Sequence, residues 1–164
     1  MNTQDVLNEF RDAGALREYE LLLKGGNSDP VLLENLALAR WKNGLDYSRT
    51  LSDLRALGPS GSFLADYAEG RIYYEGKDYP KASVFLGRAA AVQGPASEFS
   101  DRAGLLWLAG DSAYKNKDND GAYGYLQELL KLNPAHEEGR SLLAKLEKAR
   151  KADARAAGKA RTGK

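Results

Sequence analysis

A spacing of small residues occurs twice along the chain. Gly70 is followed 12 residues later by Ala82 and 7 further on by Ala89, and Gly110 is followed at the same intervals by Ala122 and Leu129. Small positions interleaved with rings such as Tyr73 and Tyr79 let two helices approach closely while the large side chains fill the space beside the contact. The turns are in register too: Pro134 stands twelve residues beyond Ala122, and Gly94 with Pro95 stands twelve beyond Ala82. A weaker, earlier copy has Ala37 in the small position and Gly44 in the turn, with a one-residue slip before Tyr47.

Between these markers the apolar residues recur at three and four, and no stretch alternates in the manner of a strand. The pattern predicts an all-α chain of about nine helices, near 3–13, 15–25, 29–43, 46–57, 62–76, 79–93, 96–116, 119–132 and 135–152. The breaks are GGNSDP, NGLD, LGPSGS, EGKD, QGPAS, KNKDND and LNPAH, each carrying a turn former or a helix cap. Helices joined by such short breaks stack as antiparallel hairpins.

That ruler resembles the tetratricopeptide repeat, in which a small residue on one helix packs against a small residue on the next. Gly70, Tyr73, Ala82 and Ala89 match it in one copy, and Gly110, Ala122 and Pro134 in the next. The large aromatic that opens the family's first helix is missing, with Leu33, Asp66 and Leu106 in its place, so the repeats are degenerate, of a bacterial kind. The resemblance covers about 30–152 and implies a right-handed superhelical solenoid over 1–152. Its repeats would lie near 3–28, 30–61, 63–96 and 103–136, closed by a capping helix at 135–152. The step from Ala37 to Gly70 is 33 residues and that from Gly70 to Gly110 is 40. The extra residues, in GPASEFSD, are expected to lengthen the first helix of the third hairpin.

In that family the first helices line a concave groove that takes a peptide, and the register assigns the groove positions here. They fall on Glu34, Leu38 and Trp41, on Tyr67, Arg71 and Tyr74, and on Trp107, Asp111 and Tyr114, with Asn35 beside the first trio. Each trio runs i, i+4, i+7, one face of a helix, and ends in an aromatic residue. Lys42 and Lys115 follow at the rim. Tyr, Trp and Arg dominate the energy of protein interfaces, so this ladder is the expected partner-binding set. Aromatic stripes at helical spacing also build cores, which is the competing reading, and Tyr73, Tyr79, Phe85, Tyr123 and Tyr125 are assigned to packing between helices. A clamp for a terminal carboxylate, found in some relatives, is hinted at by Asn35 and Arg71. It lacks partners in the third copy, where Gly104, Leu108 and Asp111 stand.

Composition removes several function classes. The chain has no Cys and one His, His136, so a disulfide framework, a thiolate zinc site, a cysteine nucleophile and a histidine cluster are excluded. His136 opens a helix in NPAHEE as a surface cap, GKARTGK follows no strand as a phosphate loop would, and Asp118 and Asp120 belong to a turn. No enzyme, cofactor, metal or small-molecule substrate is expected. The expected partner is another protein or peptide, with self-association into a scaffold as the alternative.

Charge is divided unequally. Residues 1–139 carry 15 Lys/Arg against 21 Asp/Glu, and residues 140–164 carry 9 against 2. The last dozen residues, 153–164, form a basic tail with no apolar face, expected to be disordered. With no aromatic among its charges, the tail is not expected to touch nucleic acid or membrane. The opening MNTQDVLNEF has neither the basic head nor the apolar run of a signal segment, so a cytoplasmic location is expected as the sequence stands, and a periplasmic one if a leader has been removed.

Overall fold

The computed structural model describes residues 13–98 and 101–163. Among them the chain is all-α, with eight α-helices and no strand. The helices are α1 (Ala13–Lys24), α2 (Pro30–Lys42), α3 (Ser48–Arg55), α4 (Pro59–Glu75), α5 (Tyr79–Ala91), α6 (Arg102–Lys115), α7 (Asn119–Leu132) and α8 (Glu137–Thr162). The expected helix at 3–13 lies outside the described residues but for residue 13. Two compact units divide the chain, Met1–Asp101 and Arg102–Lys164, and the boundary falls in the segment where the repeat spacing has its extra residues.

Those residues do not lengthen the helix that follows. Gly94 adopts φ 81°, and Pro95–Ser97 make one turn of 3-10 helix, closed by the Ser97 amide donating to the Gly94 carbonyl at 3.0 Å. α6 then starts at Arg102, six residues later than the periodicity suggests, and is 14 residues long. A glycine in the left-handed region followed by proline ends one helix and delays the next. The opposite happens at the other end of the second unit: the helix expected to stop near 152 continues to Thr162. Ala interspersed with Lys and Arg has high helix propensity, and from Lys148 to Arg161 only Asp153 and Gly158 interrupt it.

In the first unit α4 packs against α2, α3 and α5, and α1 packs on α2. Leu36, Leu54, Phe63, Leu64 and Leu86 form its fully buried centre. In the second unit α7 packs between α6 and α8, around Leu105, Leu106, Leu126, Leu129 and Leu146. The ruler is explained by what lies over each glycine. A Cβ on Gly70 would stand 2.7 Å from Leu86 Cγ, and one on Gly110 would stand 3.3 Å from Leu126 Cγ. Both leucines follow their glycine by sixteen residues. Ala82, Ala89, Ala122 and Leu129 are fully buried on the facing helices.

The turns repeat as closely as the packing. Seven residues beyond each small position the backbone turns left-handed, at Gly44 (φ 70°), Lys77 (φ 60°) and Lys117 (φ 64°). In each turn this residue's amide donates to the carbonyl three residues back: Gly44 to Trp41, Lys77 to Tyr74 and Lys117 to Tyr114, all at 3.0 Å. The next amide reaches the carbonyl five back: Leu45 to Arg40 at 2.9 Å, Asp78 to Tyr73 at 2.9 Å and Asp118 to Ala113 at 2.8 Å. This paired closure satisfies carbonyls that a helix end leaves open. Asp78 and Asp118 then cap the next helix, accepting from the amides of Lys81 and Gly121.

Candidate functional site

The nine ladder residues divide between the two units. In the first unit Trp41 is half-buried, with Lys42 Nζ 4.5 Å from its ring centre, and Asn35 of the same helix is half-buried too. Leu38 is a core residue, 4% exposed. Tyr67 is buried as well, at 8%, its ring 6.3 Å from that of Phe63, and burial pushes its hydroxyl up to about pKa 12. Expected on an open face, Leu38 and Tyr67 face the core instead. α2 and α4 pack against each other, and the i, i+4, i+7 face of a helix flanked on both sides is partly consumed by its neighbours.

Arg71 lies across that contact. Its guanidinium stands 5.2 Å from the Tyr67 ring centre and 3.6 Å from Glu34 Oε1. Glu34 is buried, and loss of hydration raises its carboxyl to a pKa of about 7 against the pull of Arg71. The pair links buried Glu34 of α2 to half-buried Arg71 of α4, and it sets Arg71 to a task inside the unit. A second link, Arg55 of α3, reaches both Asp66 and Glu69 of α4 at 2.7 Å.

Tyr73 and Tyr74 separate as the register requires, though less completely. Tyr73 stacks on Phe85 of α5 at 5.5 Å, within the hairpin. Tyr74 meets Tyr79 edge to face at 5.9 Å near the turn, and Tyr73 and Tyr74 are both half-buried.

In the second unit the ladder residues converge. Trp107, Asp111 and Tyr114 of α6 line one open cleft of about 410 Å³ with Glu137, Glu138, Ser141, Leu142 and Lys145 of α8. Two rings and a leucine give it an apolar lining, and carboxylates outnumber ammonium groups along it. Trp107 is half-buried, its ring tilted against the His136 imidazole at 5.3 Å. His136 caps α8, with Nδ1 accepting from the Gly139 amide at 3.0 Å, so the cap of one helix fixes the aromatic of another. Asp111 is buried at 7%, a second departure from an open face, and Lys115 Nζ reaches its Oδ2 at 2.6 Å. Tyr114 is 38% exposed.

No spacing in the sequence singles out the α8 lining of this cleft. Glu137 and Glu138 stand in the first turn of α8, where carboxylates suit the helix dipole whatever lies across from them, and the spacing within α6 says nothing of which helix crosses it.

Among the described residues no group of three or more His, Asp or Glu is placed to hold a metal ion, and no helix is long and apolar enough to cross a membrane. Asp118 caps α7, and Asp120 pairs with Arg150 at 2.8 Å. The segment 158–162 of GKARTGK is helical.

No protein-family model matches the chain, and no solved structure matches it. A stretch of 34 residues is 62% identical to part of an orotate phosphoribosyltransferase from Phenylobacterium zucineum (strain HLK1). The match covers 21% of this chain and 18% of that protein, a fraction that carries neither its fold nor its activity to this chain.

Proposed function

We propose that the chain is a non-enzymatic interaction module, built of degenerate tetratricopeptide-like hairpins, that binds a peptide segment of a partner protein in the cleft between α6 and α8. The observation that carries this reading is the meeting of Trp107, Tyr114 and Leu142 with Glu137 and Glu138 in one open cleft. Exposed aromatic area beside charge is what interface anchors use, because it is desolvated at low entropic cost. The lining favours a segment with an apolar or aromatic anchor flanked by Lys or Arg. The partner-binding set thereby contracts to Trp107 and Tyr114 with residues of α8, while Leu38 and Tyr67 pack in the core, Arg71 pairs with Glu34 and Asp111 pairs with Lys115 of its own helix. Asn35, Trp41 and Tyr74 form a separate half-buried set in the first unit.

Selection of a random displayed-peptide library on the immobilised chain tests this. Enrichment of peptides with a hydrophobic anchor and basic flank is expected, and Tyr114→Ala should abolish it without lowering the melting temperature. Equal enrichment on the mutant would overturn the assignment.

A second reading, a structural subunit that self-associates, is favoured by one observation: Leu21, Leu22 and Leu23 on α1 are 62%, 44% and 38% exposed. Sedimentation of the intact chain separates the two readings. A dimer that Leu21→Glu dissociates supports the scaffold, and a monomer supports the peptide-binding module.

A further inference from the structure

The final turns of α8 have no task in the cleft. Leu142, Leu146 and Arg150 recur every four residues on the side of α8 that meets the rest of its unit. Leu142 and Leu146 are buried, while the Arg150 guanidinium lies 4.1 Å from the Tyr123 ring centre and 2.8 Å from Asp120. From Glu147 to Gly163 every residue is exposed. At 100° per residue, Lys148, Lys151, Arg155 and Lys159 fall within about 80° of one another on the side opposite that anchor, and Asp153 and Glu147 fall outside the stripe. The stripe is about 16 Å long at 1.5 Å rise per residue. None of its four cations makes an ion pair with a described residue. Residues 148–164 carry seven Lys/Arg against one Asp, while residues 1–147 carry seventeen against twenty-two Asp/Glu.

We propose that this stripe of Lys148, Lys151, Arg155 and Lys159 is a docking face for the phosphate backbone of a nucleic-acid duplex. The argument is charge complementarity on a regular, one-sided and unpaired array. Between the cations the helix carries mainly Ala and Gly, so it is slim enough to lie in a major groove about 12 Å wide. The absence of aromatic residues argues for a duplex over a single strand, which is held by stacking. The absence of bulky apolar residues past Leu146 argues against burial in a lipid interface. The sequence-based expectation of a disordered tail without such contacts presumed no ordered face, and a continuous helix supplies one.

The test is fluorescence anisotropy of a labelled mixed-sequence DNA duplex with the full chain, run beside flotation with phosphatidylserine vesicles. Binding at low salt is expected, falling about 100-fold between about 50 and 200 mM salt, as release of about four counterions requires. The variant K148Q/K151Q/R155Q/K159Q should bind at least tenfold more weakly with unchanged circular dichroism, while K24Q/K131Q should bind as the parent does. If the quadruple variant does not fold, the salt slope of the parent chain decides. Absence of duplex binding, a slope near zero, equal binding by the folded quadruple variant, or binding to vesicles but not to duplex would each overturn the proposal.

Discussion

Gly70 lies so close under Leu86 that a Cβ added to it would stand 2.7 Å from the leucine Cγ, 2.8 Å from Cδ2 and 3.0 Å from its backbone nitrogen. The leucine side chain cannot escape alone, because the backbone is part of the contact. Gly70→Ala is therefore expected to force α4 and α5 apart and to destabilise the chain by about 1–3 kcal/mol. At Gly110 the nearest atoms are the flexible end of Leu126 at 3.3 Å. A small shift accommodates a methyl there, and the gain in helix propensity of up to about 1 kcal/mol offsets the crowding. Urea unfolding of the two single mutants should place Gly70→Ala well below the parent and Gly110→Ala near it. The reverse order would mean that the contacts are misassigned.

Lys77 and Lys117 hold left-handed backbone, where a side chain crowds its own carbonyl, in the position that Gly44 fills in the earlier copy. Replacing either with glycine should stabilise the chain by about 1 kcal/mol, because the cost of that conformation for an L-residue exceeds the entropy glycine loses on folding. A thermal melt of Lys117→Gly that shows no rise would count against the observed turn.

Glu34 makes stability depend on pH in a stated direction. Its pKa rises from 4.5 to about 7 on folding, because burial disfavours the charge. The folded chain thus binds the proton more tightly than the unfolded one. The contribution is fully present below pH 4.5 and is lost as pH rises through about 7, for a total of up to about 3 kcal/mol. Urea midpoints at pH 5 and pH 8 should differ in this sense, and Glu34→Gln should flatten the difference. Arg71→Gln should push the carboxyl higher still, since it removes the cation that opposes the rise.

Tyr67 opens its ladder trio and Tyr114 closes another, and the two are expected to respond oppositely. Tyr67→Ala removes a buried ring and should cost about 3–5 kcal/mol. Tyr114→Ala should stay within about 0.5 kcal/mol of the parent, as exposed sites do, while removing peptide binding. Equal melting temperatures for the two mutants would place both rings in the same environment, contrary to their exposures of 8% and 38%.

The hairpins are legible in the residues alone. Gly70 and Gly110 mark close helix contacts, and EGKD and KNKD mark the turns, because steric crowding, caps and left-handed backbone act over a few residues and leave a local trace. What each helix face does depends on the helices packed around it. Glu34, Leu38 and Trp41 share one spacing with Trp107, Asp111 and Tyr114, yet α4 draws Arg71 onto Glu34 while α8 turns Trp107 and Tyr114 into the lining of a cleft. A stripe at i, i+4, i+7 specifies a face and not its neighbour. The neighbour depends on contacts distant in sequence, which periodicity does not record.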